Sequence, residues 1–288
     1  MRVARNVRYI RWMPSVTCEN VVSVASDFLD NVLDPSERAD IDAHLSSCQN
    51  CPTYLDQLHT TVDVLAKRPS VQVPDELRQA VDSALSGTGD ADAAAAAFGE
   101  HSNQLYSIAA AIRPGDADDL VESTFTRALE EGSSAFNLDR LTQILLDISD
   151  TPDAGEGLVD SVYDHPGSVD ARVDSLDADA DEAELFYPAF YAEGIDAGGF
   201  LESPNAWGDS HLLSPEDDVT TDELYSVVDG ALHGLNSFDA AVVALVDVEG
   251  VSRDRAAQQL NRSADDVGAA LNRGRNHIRG ALDGYLRP

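Results

Sequence analysis

Apolar residues in the first part of the chain recur at spacings of three and four, the period of a helix with one buried face. Between Asn20 and Val32 they fall at Val21, Val24, Ala25, Phe28, Leu29 and Val32, which predicts one amphipathic helix. Asp34-Pro35-Ser36-Glu37 then reads as the start of a second. Asp34 is placed to cap it, Pro35 suits the first helical position, and Glu37 at the third can reach back to the cap. That helix continues through Ile41 and Leu45 towards Cys48. A third is predicted from near Pro52 through Tyr54, Leu55, Leu58, Val62 and Leu65, ending before Pro69, with a short amphipathic piece after Pro74 (Leu77, Val81, Leu85).

A Gly/Asp/Ala stretch, residues 87–97, reads as a linker. Helical spacing returns at Leu105–Ala111, Asp116–Glu131 and Leu138–Ile148, separated by Pro114-Gly115 and by Gly132-Ser133-Ser134. Residues 151–221 are acidic and rich in Gly and Pro, with scattered aromatics (Phe186, Tyr187, Phe190, Tyr191, Trp207). Such a segment reads as a linker, flexible in part, whose rings can dock as short anchors. From residue 222 to 288 helices are predicted at Asp222–Leu235, Asp239–Val248, Ser252–Leu260 and Ala264–Leu286. Alternating β-branched runs are scarce throughout, so the fold class is all-α.

Charge sharpens this division. The chain of 288 residues has a formal net charge of −33, and residues 87–240 hold 34 of its 52 acidic residues against four arginines. That middle part repels nucleic acid. Residues 241–288 carry seven arginines and six acids, and residues 1–15 form a basic tail with Arg2, Arg5, Arg8 and Arg11. No apolar run reaches the length needed to span a bilayer, and no signal-type apolar core follows the basic tip. These features lead to the expectation of a cytoplasmic protein without a membrane partner.

The three cysteines are Cys18, Cys48 and Cys51. An odd, clustered set makes no disulfide framework and suits metal or redox chemistry in a reducing compartment. His44-Leu-Ser-Ser-Cys48-Gln-Asn-Cys51 is an H-x3-C-x2-C cluster. His44 and Cys48, four apart on one helix, share a face, a short turn just past the helix end can return Cys51 to the same metal, and Cys18 can supply a fourth ligand. Three thiolates and an imidazole make a closed tetrahedral zinc site, structural rather than catalytic. The competing readings are core cysteines beside a surface histidine, or a CxxC redox pair, although no βαβ pattern surrounds it.

Taken together, Thr17-Cys18-Glu19-Asn20, Phe28-Leu29-Asp30, Leu33-Asp34-Pro35-Ser36-Glu37-Arg38, the ligand cluster and Tyr54-Leu55 resemble the zinc-binding anti-sigma domain over residues 16–86. The resemblance implies a small three-helix zinc domain that binds a sigma factor and keeps it from RNA polymerase. Some members of that family release their partner when the cysteines oxidise, so a structural zinc and a switch are both open.

Near the C-terminus, Asp247-Val-Glu-Gly250, Ala256-Ala257, Leu260, Val267, Leu271-Asn-Arg273-Gly274-Arg275 and Ile278-Arg279 describe two helices joined by a tight turn, with serine caps at Ser252 and Ser263. Residues 222–288 resemble region 4 of extracytoplasmic-function sigma factors, a helix-turn-helix that reads the −35 promoter element. Leu105-Tyr106, Ala109, Asp116-Ala-Asp-Asp-Leu120-Val121, Thr124-Phe125 and Ala128-Leu129 resemble the start of region 2, which grips polymerase and opens the −10 element, within residues 98–150. The resemblance implies DNA contact through residues 252–282, with Arg253, Arg255, Arg262, Arg273, Arg275 and Arg279 as the available cations. The departures matter. Residues 138–150 hold one arginine and no aromatic, leaving little means of gripping a single strand. The front of the second helix presents Asp265 and Asp266 where a reader of bases needs donors. The arginines would alternatively be spent on neighbouring carboxylates.

Two functions follow. One is a transcription regulator related to these sigma factors, whose fused zinc domain inhibits or senses in cis. The other is an anti-sigma or decoy protein that never touches DNA and binds a separate sigma factor or RNA polymerase. With no open metal position, no HExxH pair and no phosphate loop, neither an enzyme nor a small-molecule substrate is expected.

Overall fold

The computed structural model describes residues 16–69, 71–85, 91–150, 187–207 and 218–286. The basic tail, Phe186 and most of the acidic linker lie outside them. Every regular element among the described residues is a helix, and a single antiparallel bridge joins Phe190 to Phe200. The chain divides into two compact units, one built from residues up to His59 together with Pro188–Ala206, the other from Thr60–Tyr187 and Trp207 onwards.

In the first unit the predicted helix 20–32 is two short ones, α1 (Cys18–Ser23) and α2 (Ala25–Leu29). The break falls at Val24, itself β-branched, where φ −117° and ψ 11° leave the helical region. Thr17 and Asn20 cap α1 reciprocally. Asn31, at φ 57°, turns the chain out of α2, and its side chain accepts a hydrogen bond from Arg38. Helix α3 (Pro35–Leu45) starts as predicted, with Asp34 accepting from the Ser36 and Glu37 amides and Glu37 accepting from the Asp34 amide. It stops earlier than expected, at Leu45, and Cys48 follows in a turn. Helix α4 (Asn50–Lys67) begins two residues before Pro52, which sits in the first turn, where a proline costs no hydrogen bond. Val21, Val22, Ala25, Ile41, Tyr54, Leu55 and Leu58 are buried here.

The linker reading fails for residues 188–206, which form a hairpin. The Tyr191 and Leu201 amides donate to the Gly199 and Ala189 carbonyls, and the Gly198 amide donates to the Tyr191 carbonyl. Within the hairpin Phe190 packs on Phe200 at 5.2 Å between ring centroids.

The second unit contains the rest of α4, then α5 (Asp75–Leu85), α6 (Ala91–Ile112), α7 (Ala117–Glu131), α8 (Leu138–Ser149), α9 (Asp218–His233), α10 (Ser237–Val243), α11 (Arg253–Gln259) and α12 (Ala264–Leu286). Two expected boundaries shift. Residues 91–97 of the predicted linker are helical, because their alanines are strong helix formers and Ala94 and Ala97 are small enough to bury. Helix α5, expected with the zinc domain, places Leu77 and Val81 in the second unit's core. That core runs without interruption from α5–α8 into α10–α12: Leu105, Phe125, Leu141 and Leu145 share it with Leu245, Ala256 and Leu271. A smaller cluster gathers Val64 and Leu65 of α4 with Leu224, Leu232, Ile278 and Leu282. Trp207 joins it, its indole N–H donating to Asp283 at 2.9 Å. Beyond α10 the chain makes one π turn, Ala244–Val248, which presents the Asp247 carboxylate to Arg275 in the interior.

Gly274 lets α12 cross α10, since a Cβ there would lie 2.5 Å from the Val243 side chain. Gly274→Ala is therefore expected to destabilise by about 1–3 kcal/mol through overpacking. Gly230→Ala in α9, a position with no atom within 4 Å of the added carbon, is expected to stabilise by about 0.5–1 kcal/mol. Urea unfolding midpoints of the two variants test the contrast.

Candidate metal centre

Cys18 opens α1, His44 lies in the last turn of α3, Cys48 follows in the turn, and Cys51 is the second residue of α4. Local structure brings the last three together. The Cys48 amide donates to the His44 carbonyl at 2.9 Å, continuing the helical bonding pattern for one more step after α3 has ended. The Cys51 amide in turn points at Cys48 Sγ, 3.5 Å away, so Cys48 caps the start of α4. Cys18 arrives from a more distant part of the sequence, on a helix whose Val21 and Val22 are buried.

The four ligand atoms all lie within 4.8 Å of one another. Cys18 Sγ is 3.7 Å from both Cys48 Sγ and His44 Nε2, and His44 Nε2 is 3.3 Å from Cys51 Sγ. A tetrahedral zinc with its usual bond lengths sets sulfur–sulfur edges of about 3.8 Å and sulfur–nitrogen edges of about 3.6 Å. The donor set fits that ion. All three cysteines are free thiols. The imidazole is held from behind, Nδ1 lying 2.7 Å from the Val16 carbonyl. That contact keeps the proton on Nδ1 and turns the Nε2 lone pair towards the sulfurs.

The electrostatics of the bare cluster call for a cation. Burial pushes Cys51 far above the ordinary thiol range, and the neighbouring Cys18 and Cys48 add to the shift. Burial also raises Cys18, against the opposing effect of the Cys51 thiol and of the Phe200 backbone N–H, which donates to its sulfur. For Cys48 burial acts upwards too, but the Cys51 and Asn50 amides and the two other thiols outweigh it and the net shift is downwards. Three sulfurs this close cannot all ionise unless a positive ion compensates them.

Residues 18–51 match the family model described as "Putative zinc-finger". The matched segment begins and ends on a ligand. No curated protein and no solved structure matches the chain. The zinc-finger region accounts for all four predicted ligands, and bound zinc would act as a closed structural cross-link with no position left for substrate. Sequence reasoning missed two outer contacts, the Val16 carbonyl and the Phe200 amide. The first is a backbone group; the second comes from the hairpin, where Gly198-Gly199 was the one local signal.

The six arginines considered for DNA contact all lie on or beside α11 and α12, in varied surroundings. Arg275 is 1% exposed and makes a two-pronged ion pair with Asp247 (2.9 and 2.7 Å). Arg273 pairs in the same way with the buried Asp239 (2.8 and 2.6 Å), and Arg255 with Asp139 of α8. Arg279 is buried, Arg253 is half-buried at the start of α11, and exposed Arg262 lies 5.5 Å from the Phe238 ring centroid. The turn between the helices is as read: Ser252 caps α11, and Ser263 and Asp266 cap α12 reciprocally. Among the described residues no helix is long and apolar enough to cross a membrane.

Zinc must displace protons that Cys18 and Cys51 hold at neutral pH. Its apparent affinity is therefore expected to rise as pH rises from about 6 to about 8 and to fall on acidification, as chelator competition would measure. Cys51→Ser is expected to abolish stoichiometric zinc binding, read by metal analysis of the purified variant.

Proposed function

We propose that this protein regulates transcription initiation through protein contacts, with an anti-sigma-like zinc module attached to a sigma-like helical body that is closed on itself. One observation carries the reading: the two stretches that resemble sigma regions 2 and 4 share one interior. Beyond the apolar core, Arg255 of α11 grips Asp139 of α8. Gln259 donates to the Thr142 hydroxyl at 2.9 Å, and Gln143 donates to the Gln259 carbonyl. Reading two separate promoter elements, as the resemblance implies for regions 2 and 4, would need the two stretches free of one another. Here separation would expose the shared core and strand buried polar groups, at a cost of several kcal/mol.

The arginines support the same reading. Counterion release, the main source of DNA affinity, needs cations free to meet phosphates. Arg255, Arg273 and Arg275 already answer carboxylates, and Asp265 and Asp266 stand exposed at the front of α12. The partner of such a protein is a separate sigma factor or RNA polymerase, and its work is binding, not catalysis.

Affinity purification of the tagged chain from its own cells, with identification of co-purifying proteins, is expected to return a sigma factor or polymerase subunits. The intact chain is expected to show no saturable binding to duplex DNA by fluorescence anisotropy at about 0.15 M salt. Recovery of neither partner, or DNA binding that weakens steeply with added salt, would overturn the proposal.

A further inference from the structure

We propose that the hairpin at residues 188–206 is a strap belonging to the metal centre, whose docking and metal binding stabilise one another. The inference concerns the metal module alone and stands apart from the transcriptional reading.

The strap crosses the two helices that carry Cys18 and Cys51. On α1, the Phe200 amide donates to Cys18 Sγ, and the neighbouring Glu19 amide donates to the Gly198 carbonyl at 2.9 Å. On α4, the Phe200 ring packs against Tyr54 at 5.8 Å between centroids, one turn beyond Cys51. A further turn along, Gln57 donates to the Asn205 carbonyl at 2.6 Å. The seat is tight. Gly198 has φ 78°, and a Cβ there would lie 2.6 Å from Thr17 Cβ, so only glycine lets the strap approach this closely. Phe200 is 7% exposed, and Tyr54 and Gln57 are buried.

The coupling is mechanical. Helix α1 has six residues, too few to hold its place by helix formation alone. Metal bonds to Cys18 and Cys51 would fix α1 against α4, and the strap binds where both helices are held together. Releasing the metal frees α1 and divides the seat; removing the strap loosens α1 and takes the outer N–H from one ligand. The two effects are equal by linkage. Loss of outer contacts of this kind lowers metal affinity about 10–100-fold.

The test uses the full chain. Gly198→Val blocks the approach to Thr17 and Phe200→Ala removes the ring from Tyr54, while Ile195→Ser alters the fully exposed tip of the hairpin and serves as control. Zinc affinity by chelator competition is expected to fall at least about tenfold in the first two variants and stay unchanged in the third. Hydrogen exchange is expected to show protection of residues 189–201 with zinc and its loss with chelator, while α7 and α8 keep theirs. With cobalt in place of zinc, the sulfur charge-transfer bands are expected to shift in Gly198→Val. Zinc affinities within about twofold of the parent in both strap variants, or equal hairpin protection with and without metal, would overturn the coupling. Failure of the parent chain to bind zinc at all would overturn the centre itself.

Discussion

Three thiols and an imidazole within 4.8 Å of one another impose a condition that apolar packing does not meet. The sulfurs are buried or half-buried, and three thiolates crowded together would repel one another. A divalent cation turns that mutual opposition into attraction and ties α1, α3 and α4 at one point. Such a tie would support a first unit whose apolar core is short of material. Its two first helices are six and five residues long, and its buried apolar side chains are few. Small domains with so little core are the ones that rely on metal or disulfide cross-links.

The second unit solves a different problem by different means. Its core is continuous and large enough to close without a cross-link, and what it must accommodate is charge. Arg275 and Asp247 sit together in the interior, with side chains 2% exposed, and Arg273 reaches the fully buried Asp239. Ion pairs of this kind contribute little net stability against apolar replacements, yet breaking one leaves an uncompensated charge inside. They therefore favour one arrangement of α10 and α12 over others more than they add to its depth. The π turn after α10 belongs to the same arrangement, since it presents Asp247 inward.

The acidic middle of the chain takes on a different character once the hairpin is placed. A segment whose composition reads as linker contributes a buried phenylalanine and a glycine seated against Thr17 to a metal module that lies far away in the sequence. Tyr191, Ile195 and Leu201 stay exposed. The charge along the middle of the chain thus surrounds, without replacing, a short stretch with its own packing logic.

The sequence by itself determined what is local. The helical class, the starts of α3, α11 and α12, and the ligands His44, Cys48 and Cys51 rest on spacings and caps within a few residues, where the backbone leaves few alternatives; Cys18, 26 residues before His44, stood out by its residue type alone. Only the tertiary structure decided what is distant: that residues 91–97 join a helix with buried alanines, that residues 188–206 return to the metal module, and that Arg255, Arg273 and Arg275 face carboxylates. The physical reason is that a cap or a ligand spacing is fixed by neighbours along the chain. The partner of an arginine, or the seat of a phenylalanine, is fixed by which apolar faces meet first and which charges that meeting buries.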